Sequence, residues 1–240
     1  MQKSKRVEGL DIFRGWAIFL MVLYHFTFDL NHFGFIHVNM NSSSLFLISR
    51  YTIMSMFLLS VGISLALVHK DKLNYKSIKK RLLLLGGASI LVSIGTYIEF
   101  PYTWVYFGIL HFILVASLLA LPFLRYPKVA LTLAIAILVG SALNLLNMHP
   151  LFHLLQPILH LPQYTEDLVP LVPWFSVVLL GSVMVHYNLH IKVFQHKIFS
   201  QDFFLNRIFK RMGKHSLLIY LIHQPILFLL FELYFMLINP

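Results

Sequence analysis

The 240-residue sequence has no cysteine, which excludes disulfides, thiolate metal sites and any acyl intermediate on a cysteine. Charge is scarce. Asp, Glu, Lys and Arg make up 12% of the chain, where soluble domains carry about 25%. Acids are scarcer still, nine against 19 Lys and Arg, leaving a formal net charge of +10. There is no Gly-rich phosphate loop, Walker pattern or HExxH motif, and no internal repeat or low-complexity tract. Apolar residues are abundant at 58%, with a mean hydropathy of +0.77. This composition excludes a soluble enzyme, a disordered tail and a nucleic-acid-binding domain.

A membrane-spanning helix needs about 20 mostly apolar residues. Seven segments qualify, at roughly 11–32, 45–68, 82–100, 104–124, 128–146, 169–187 and 215–236. The first is no cleaved signal peptide, because it carries Asp11 and Arg14, is too long and lacks a small-residue cleavage site. Every Lys and Arg except Arg14 and Arg50 falls in the N-terminal tail (Lys3, Lys5, Arg6) or in alternate loops, at 70–81, 125–128 and 192–214. The intervening loops have none, and 147–168 has Glu166 and Asp167. The positive-inside rule then puts the N-terminus in the cytoplasm and the C-terminus outside. The expected fold is an all-α polytopic integral membrane protein. It is a bundle of about seven transmembrane helices forming a single domain over 1–240, in the cell membrane if the source is prokaryotic. The basic face explains the pI of 9.8 without nucleic acid and suits anionic lipid head groups. Segment 147–168, with His149, Pro150, His153, Pro157, His160 and Pro162, is expected at the outer interface or capping a cavity. Segment 191–211 alternates Phe and Ile with Lys and Arg, as an interfacial amphipathic helix does.

Ionisable groups inside spans are costly and mark function by default. The first span holds Asp11, Arg14, His25 and Asp29, with His32 at its end. At about 100° per residue all five fall within one stripe roughly 60° wide, which must face protein or a water-filled cavity. Arg14 and His25 lie about 16 Å apart along the axis. Asp29, four residues beyond His25, is placed to hold one imidazole nitrogen and leave the other as a general base. A structural ion pair for Asp11 and Arg14, and a hydrogen-bonded bundle histidine for His25, are the plainer readings. His111 lies inside the fourth span, where Gly108 would allow close helix approach. Ser216, Tyr220 and His223 share a face of the last span. Arg50 opens the second span and Glu232 lies near the end of the last. Pro170, Pro173 and Trp174 read as a structural entry to the sixth. The 13 histidines form no convincing metal cluster, His186 and His190 at i, i+4 being the weak exception, and no metal is expected.

The opening Arg6-Val-Glu-Gly-Leu-Asp11-Ile-Phe-Arg14-Gly15-Trp-Ala-Ile-Phe-Leu-Met21-Val-Leu-Tyr-His25 resembles that of the heparan-alpha-glucosaminide N-acetyltransferase-like family, its short bacterial members most closely. Acyltransferase family 3 opens with a similar Asp-x-x-Arg-Gly and a histidine at the spacing of His25. Further matches are Phe57-Leu-Leu-Ser-Val-Gly62-Ile-Ser-Leu-Ala, Phe107-Gly-Ile-Leu-His111-Phe, Pro170-Leu-Val-Pro173-Trp174 and Gly213-Lys-His215-Ser-Leu-Leu-Ile-Tyr220-Leu-Ile-His223-Gln224-Pro225, so the resemblance covers nearly the whole chain.

The resemblance implies a transmembrane acyl-CoA-dependent N- or O-acyltransferase. Acetyl-CoA or another acyl-CoA would be the cytoplasmic co-substrate, and the acceptor an amino or hydroxyl group of a sugar or glycan on the far side. His25, Asp29, His111 and His223 are the catalytic candidates, and Asp11, Arg14, Ser216 and Tyr220 the donor-binding ones. Lys and Arg would hold the phosphates of CoA by charge, His25 would deprotonate the acceptor, and Tyr24, His111, Tyr220 or His223 would stabilise the oxyanion. Membrane lipids and a second copy of the chain are the other expected partners. A small proton-coupled transporter and a non-catalytic subunit are the competing readings of the same Asp/Arg/His stripe. Seven spans without paired Gly/Pro breaks fit the transporter poorly.

Overall fold

The computed structural model describes residues 7–70, 72–165, 167–201 and 203–238. Lys3, Lys5, Arg6 and Glu166 of the charge pattern lie outside the described residues, as does the side chain of His149. The described chain is helical throughout: α1 (Glu8–His32), α2 (Ser44–Val68), α3 (Tyr75–Glu99), α4 (Ile109–Ala120) continued by a 3₁₀ turn (Leu121–Arg125), α5 (Pro127–Ala142), α6 (His149–Leu159), α7 (Leu171–His186), α8 (Leu189–Phe194), α9 (Lys197–Ser200), α10 (Phe204–Lys214) and α11 (Ser216–Ile238). The one extended pairing among these residues is an isolated bridge between Phe107 and Leu168.

Each of the seven apolar segments of the sequence contains a helix. Four helices, α1, α2, α3 and α11, have the length and apolarity to cross a membrane by themselves. α4, α5 and α7 are shorter, at 12, 16 and 16 residues. Sixteen residues of helix rise about 24 Å, against about 30 Å of hydrocarbon. Residues 104–108, included in the expected fourth span, are not helical. The Thr165 hydroxyl donates to the Trp104 carbonyl (2.9 Å), and Asp167 Oδ2 accepts from the Ile109 N–H (2.9 Å), so α4 starts at Ile109. Gly108 therefore serves no helix crossing. It precedes α4, against Asp167 and Val105.

The chain forms two compact units, residues 1–57 with 191–240 and residues 58–190. In the first unit α1 is the central element. α10 runs antiparallel to its first half, because Asp11 lies against Gly213 and Gly15 against Phe209. Both glycines are obligatory: a Cβ on either would overlap a backbone carbonyl of the other helix. Glu8 and Lys210 form an ion pair beside this contact, and Trp16 lies 4.1 Å from the Phe209 ring. The 191–211 segment expected at the interface is thus three short helices. The last of them turns Asn206, Phe209 and Gly213 inward, and carries Arg207, Arg211 and Lys214 on its exposed side. α11 runs parallel to α1, pairing His25 with His223 and Phe33 with Phe231 (4.9 Å). Ile18 and Met21 of α1 bury with Ile53 of α2, and Tyr220 packs on that cluster.

In the second unit α5 lies closely along α7, using the fully buried Ala130 and Ala134. Gly62 of α2 and Gly181 of α7 meet backbone to backbone. Phe112, Ala116 and Ala120 bury the inner face of α4. α6, inside the segment expected to cap the outer side, brings Phe152 to Phe107 and Tyr106. The faces of α3 and α11 are largely exposed and apolar, with Leu83, Leu91 and Ile98 on one and Leu229, Leu230 and Leu237 on the other. Lipid is the solvent such faces require.

Candidate functional site

The polar stripe of α1 turns inward over most of its length. Asp11 is buried under α10, and Asp29 is fully buried against α11. His25 sits edge-on to His223, ring centroids 4.9 Å apart at 66°. His32 packs on Phe28, Phe33 and Phe228 at the end of the helix. Arg14 stays partly exposed, its Nη1 3.6 Å from Asp11 Oδ1, the pair foreseen in the plainer reading.

Hydrogen bonding fixes the proton on His223. Its Nδ1 lies 2.7 Å from the Tyr220 carbonyl, which only accepts, so Nδ1–H donates. Nε2 then keeps its lone pair, and it is buried with no partner among the described residues. A neutral imidazole so held is a base. Asp29 does not take the place expected for it beside His25. Its Oδ1 accepts from Gln224 Nε2 at 2.6 Å, and its Oδ2 has no partner among the described residues. The i, i+4 relation fixes only that His25 and Asp29 share a face, and the facing helix supplies the closer donor. Gln224 is the residue that sequence reasoning passed over. Its signals were its position beside His223 and its place in the 213–225 motif that resembles the family.

The remaining candidates are placed as follows. Tyr220 supplies the carbonyl that orients His223, and its ring lies 5.7 Å from the imidazole. Ser216 opens α11 on the same face. His111 belongs to the other unit. The Ser93 hydroxyl donates to the Val105 carbonyl (2.7 Å), so at 3.1 Å His111 Nε2–H donates to Ser93 Oγ, and His111 Nδ1 is left buried and unpartnered. His186 ends α7 and His190 belongs to α8, so the two do not share one helix face, and His190 Nδ1 lies 3.3 Å from the Met184 carbonyl. Among the described residues no three His, Asp or Glu converge as metal ligands.

Long apolar helices, with buried histidines and a carboxylate between them, define an integral membrane protein with a polar centre. Residues 6–225 match the family described as "Heparan-alpha-glucosaminide N-acetyltransferase, catalytic", and the chain belongs to it, a family of membrane acetyltransferases. No curated protein and no solved structure matches the chain.

Proposed function

We propose that this protein moves an acetyl or other acyl group from a cytoplasmic acyl-CoA to an amino or hydroxyl group, on a sugar or glycan, at the outer side of the membrane. The observation that carries this reading is the His223 imidazole, its Nδ1–H held by the Tyr220 carbonyl and its ring set against His25, in a chain of an acetyltransferase family. His223 Nε2 or His25 takes the proton of the acceptor N–H or O–H as that atom attacks the thioester carbonyl. The new C–N or C–O bond forms, the C–S bond breaks, and the histidine returns the proton to the CoA thiolate. Arg14, with Asp11, lies about 16 Å below His25 and serves the phosphate end of the donor, whose extended arm runs along the stripe past Ser216 and Tyr220. The loop charges support an N-terminus inside and a C-terminus outside across seven spans.

The test is a thermal shift of detergent-purified protein with acetyl-CoA, its 3′-dephospho analogue and the Arg14→Ala variant. A saturable upward shift, weakened by loss of either the phosphate or the guanidinium, is the expected result. No shift at millimolar acetyl-CoA in folded protein would put a proton-coupled carrier first.

A further inference from the structure

The buried polar atoms between α1 and α11 that have no partner among the described residues share one chemical character. They are His223 Nε2, Asp29 Oδ2 and Gln224 Oε1. His223 has spent its N–H on Tyr220, and Gln224 donates from its amide nitrogen to Asp29, so each of the three oxygens and nitrogens left over accepts hydrogen bonds. They sit on two adjacent rungs, His25 with His223 and Asp29 with Gln224, about 6 Å apart along α1. Buried acceptors left unsatisfied each cost about 1–3 kcal/mol, and a buried carboxylate with a single hydrogen bond costs more. A cluster of this kind is stable in a membrane protein only when something brings it donors.

We propose that Gln224 is a positioning residue that builds an acceptor-only subsite: its amide clamps the Asp29 carboxylate, and Asp29 Oδ2, Gln224 Oε1 and His223 Nε2 together receive the hydroxyl or amino groups of the molecule to be acylated. This rests on the transferase reading and adds the half of the reaction that the subsite serves. The phosphates and thioester carbonyl of acyl-CoA are themselves acceptors and find no donor on these three atoms, so the three receive the nucleophile that attacks the thioester. A neutral or cationic polyol or amino sugar fits it; an anionic group does not. The amide cannot be replaced by a group of the same shape without consequence. Methionine removes the clamp, and glutamate sets a second carboxyl against Asp29, forcing the two to share a proton.

The experiment uses the full chain in nanodiscs with glucosamine as the acceptor probe. Gln224→Met is expected to raise the KM for glucosamine about tenfold, leave the KM for acetyl-CoA unchanged, and move the glucosamine-dependent thermal shift to about tenfold higher glucosamine. The infrared carboxyl band that Asp29→Asn removes should move in Gln224→Met, because Asp29 loses its donor. Gln224→Glu, which keeps the length of the side chain but removes the amide donor, should raise the KM for glucosamine and again leave that for acetyl-CoA unchanged. Equal changes in both KM values, or a glucosamine shift whose midpoint Gln224→Met leaves unchanged, would overturn the proposal, and so would an unmoved carboxyl band. If wild-type protein turns over no acetyl-CoA, the transferase reading fails by itself. The subsite is then judged by the glucosamine shift, and its absence in wild-type protein overturns the subsite too.

Discussion

His223 and His111 are held by the same device, an imidazole with one N–H spent on a fixed oxygen and the other nitrogen left buried with its lone pair. Positioned bases of this kind contribute about 10²–10⁴-fold to proton-transfer steps. His223→Ala is therefore expected to lower kcat for acetyl transfer by that range while acetyl-CoA still raises the melting temperature. Loss of the acetyl-CoA shift together with turnover would assign His223 to folding or donor binding. A third histidine, His69, lies just beyond α2. It is buried and accepts the Asn74 N–H at Nδ1, and burial, reinforced by the positive field of Arg81, lowers its pKa from the ordinary 6.5. The unfolded chain thus binds this proton more readily than the folded one. The resulting stability is complete above about pH 6.5 and is lost progressively as the pH falls below it. Melting temperature should fall on acidification, and His69→Gln should flatten that fall. At this scale the sequence showed the inward stripe, because 3.6-residue periodicity and the cost of charge in lipid are both local rules. It did not show that Asp29 meets Gln224, since that contact joins positions 195 residues apart on different helices.

Helix contacts in this protein are made where side chains vanish. α1 and α10 touch through Gly15 and Gly213, whereas Gly87 of α3 has open space around its missing Cβ. Overpacking costs about 1–3 kcal/mol when side chains can yield, and more when the obstacle is backbone. Gly15→Leu should prevent recovery of monodisperse protein, and Gly87→Leu should leave recovery and melting temperature near wild type. Similar behaviour of the two variants would contradict the close α1–α10 packing. The same contact explains why the 191–211 segment was only half legible. Its Lys and Arg spacing reads as an amphipathic helix, and α10 is one, but nothing in that pattern says that its inner stripe of Asn206, Phe209 and Gly213 docks on α1. The start of α4 was misread for a related reason. Trp104-Val-Tyr-Phe is as apolar as a span, yet Thr165 and Asp167, from a distant loop, hold that stretch out of the helix.

For the whole molecule, apolar length and loop charge made the helical membrane fold legible, and each of the seven apolar segments contains a helix. Their spanning number was not, because α4, α5 and α7 are shorter than the bilayer and a hydropathy window does not see where a helix stops. The basic loops carry the proposed orientation, and the lack of cysteine makes it simple to test. Lys79→Cys and Tyr164→Cys both place a thiol at an exposed position. A membrane-impermeant maleimide should label Tyr164→Cys on intact cells and Lys79→Cys only after permeabilisation; the reverse would invert the topology. The account as a whole stands on group transfer across the bilayer. The most direct measurement is the appearance of labelled acetyl on glucosamine enclosed in proteoliposomes of outside-in orientation, with labelled acetyl-CoA supplied to the cytoplasmic face. Label on the enclosed amine, abolished by His223→Ala, is the result this account requires. Folded, oriented protein that leaves the enclosed glucosamine unlabelled would contradict it.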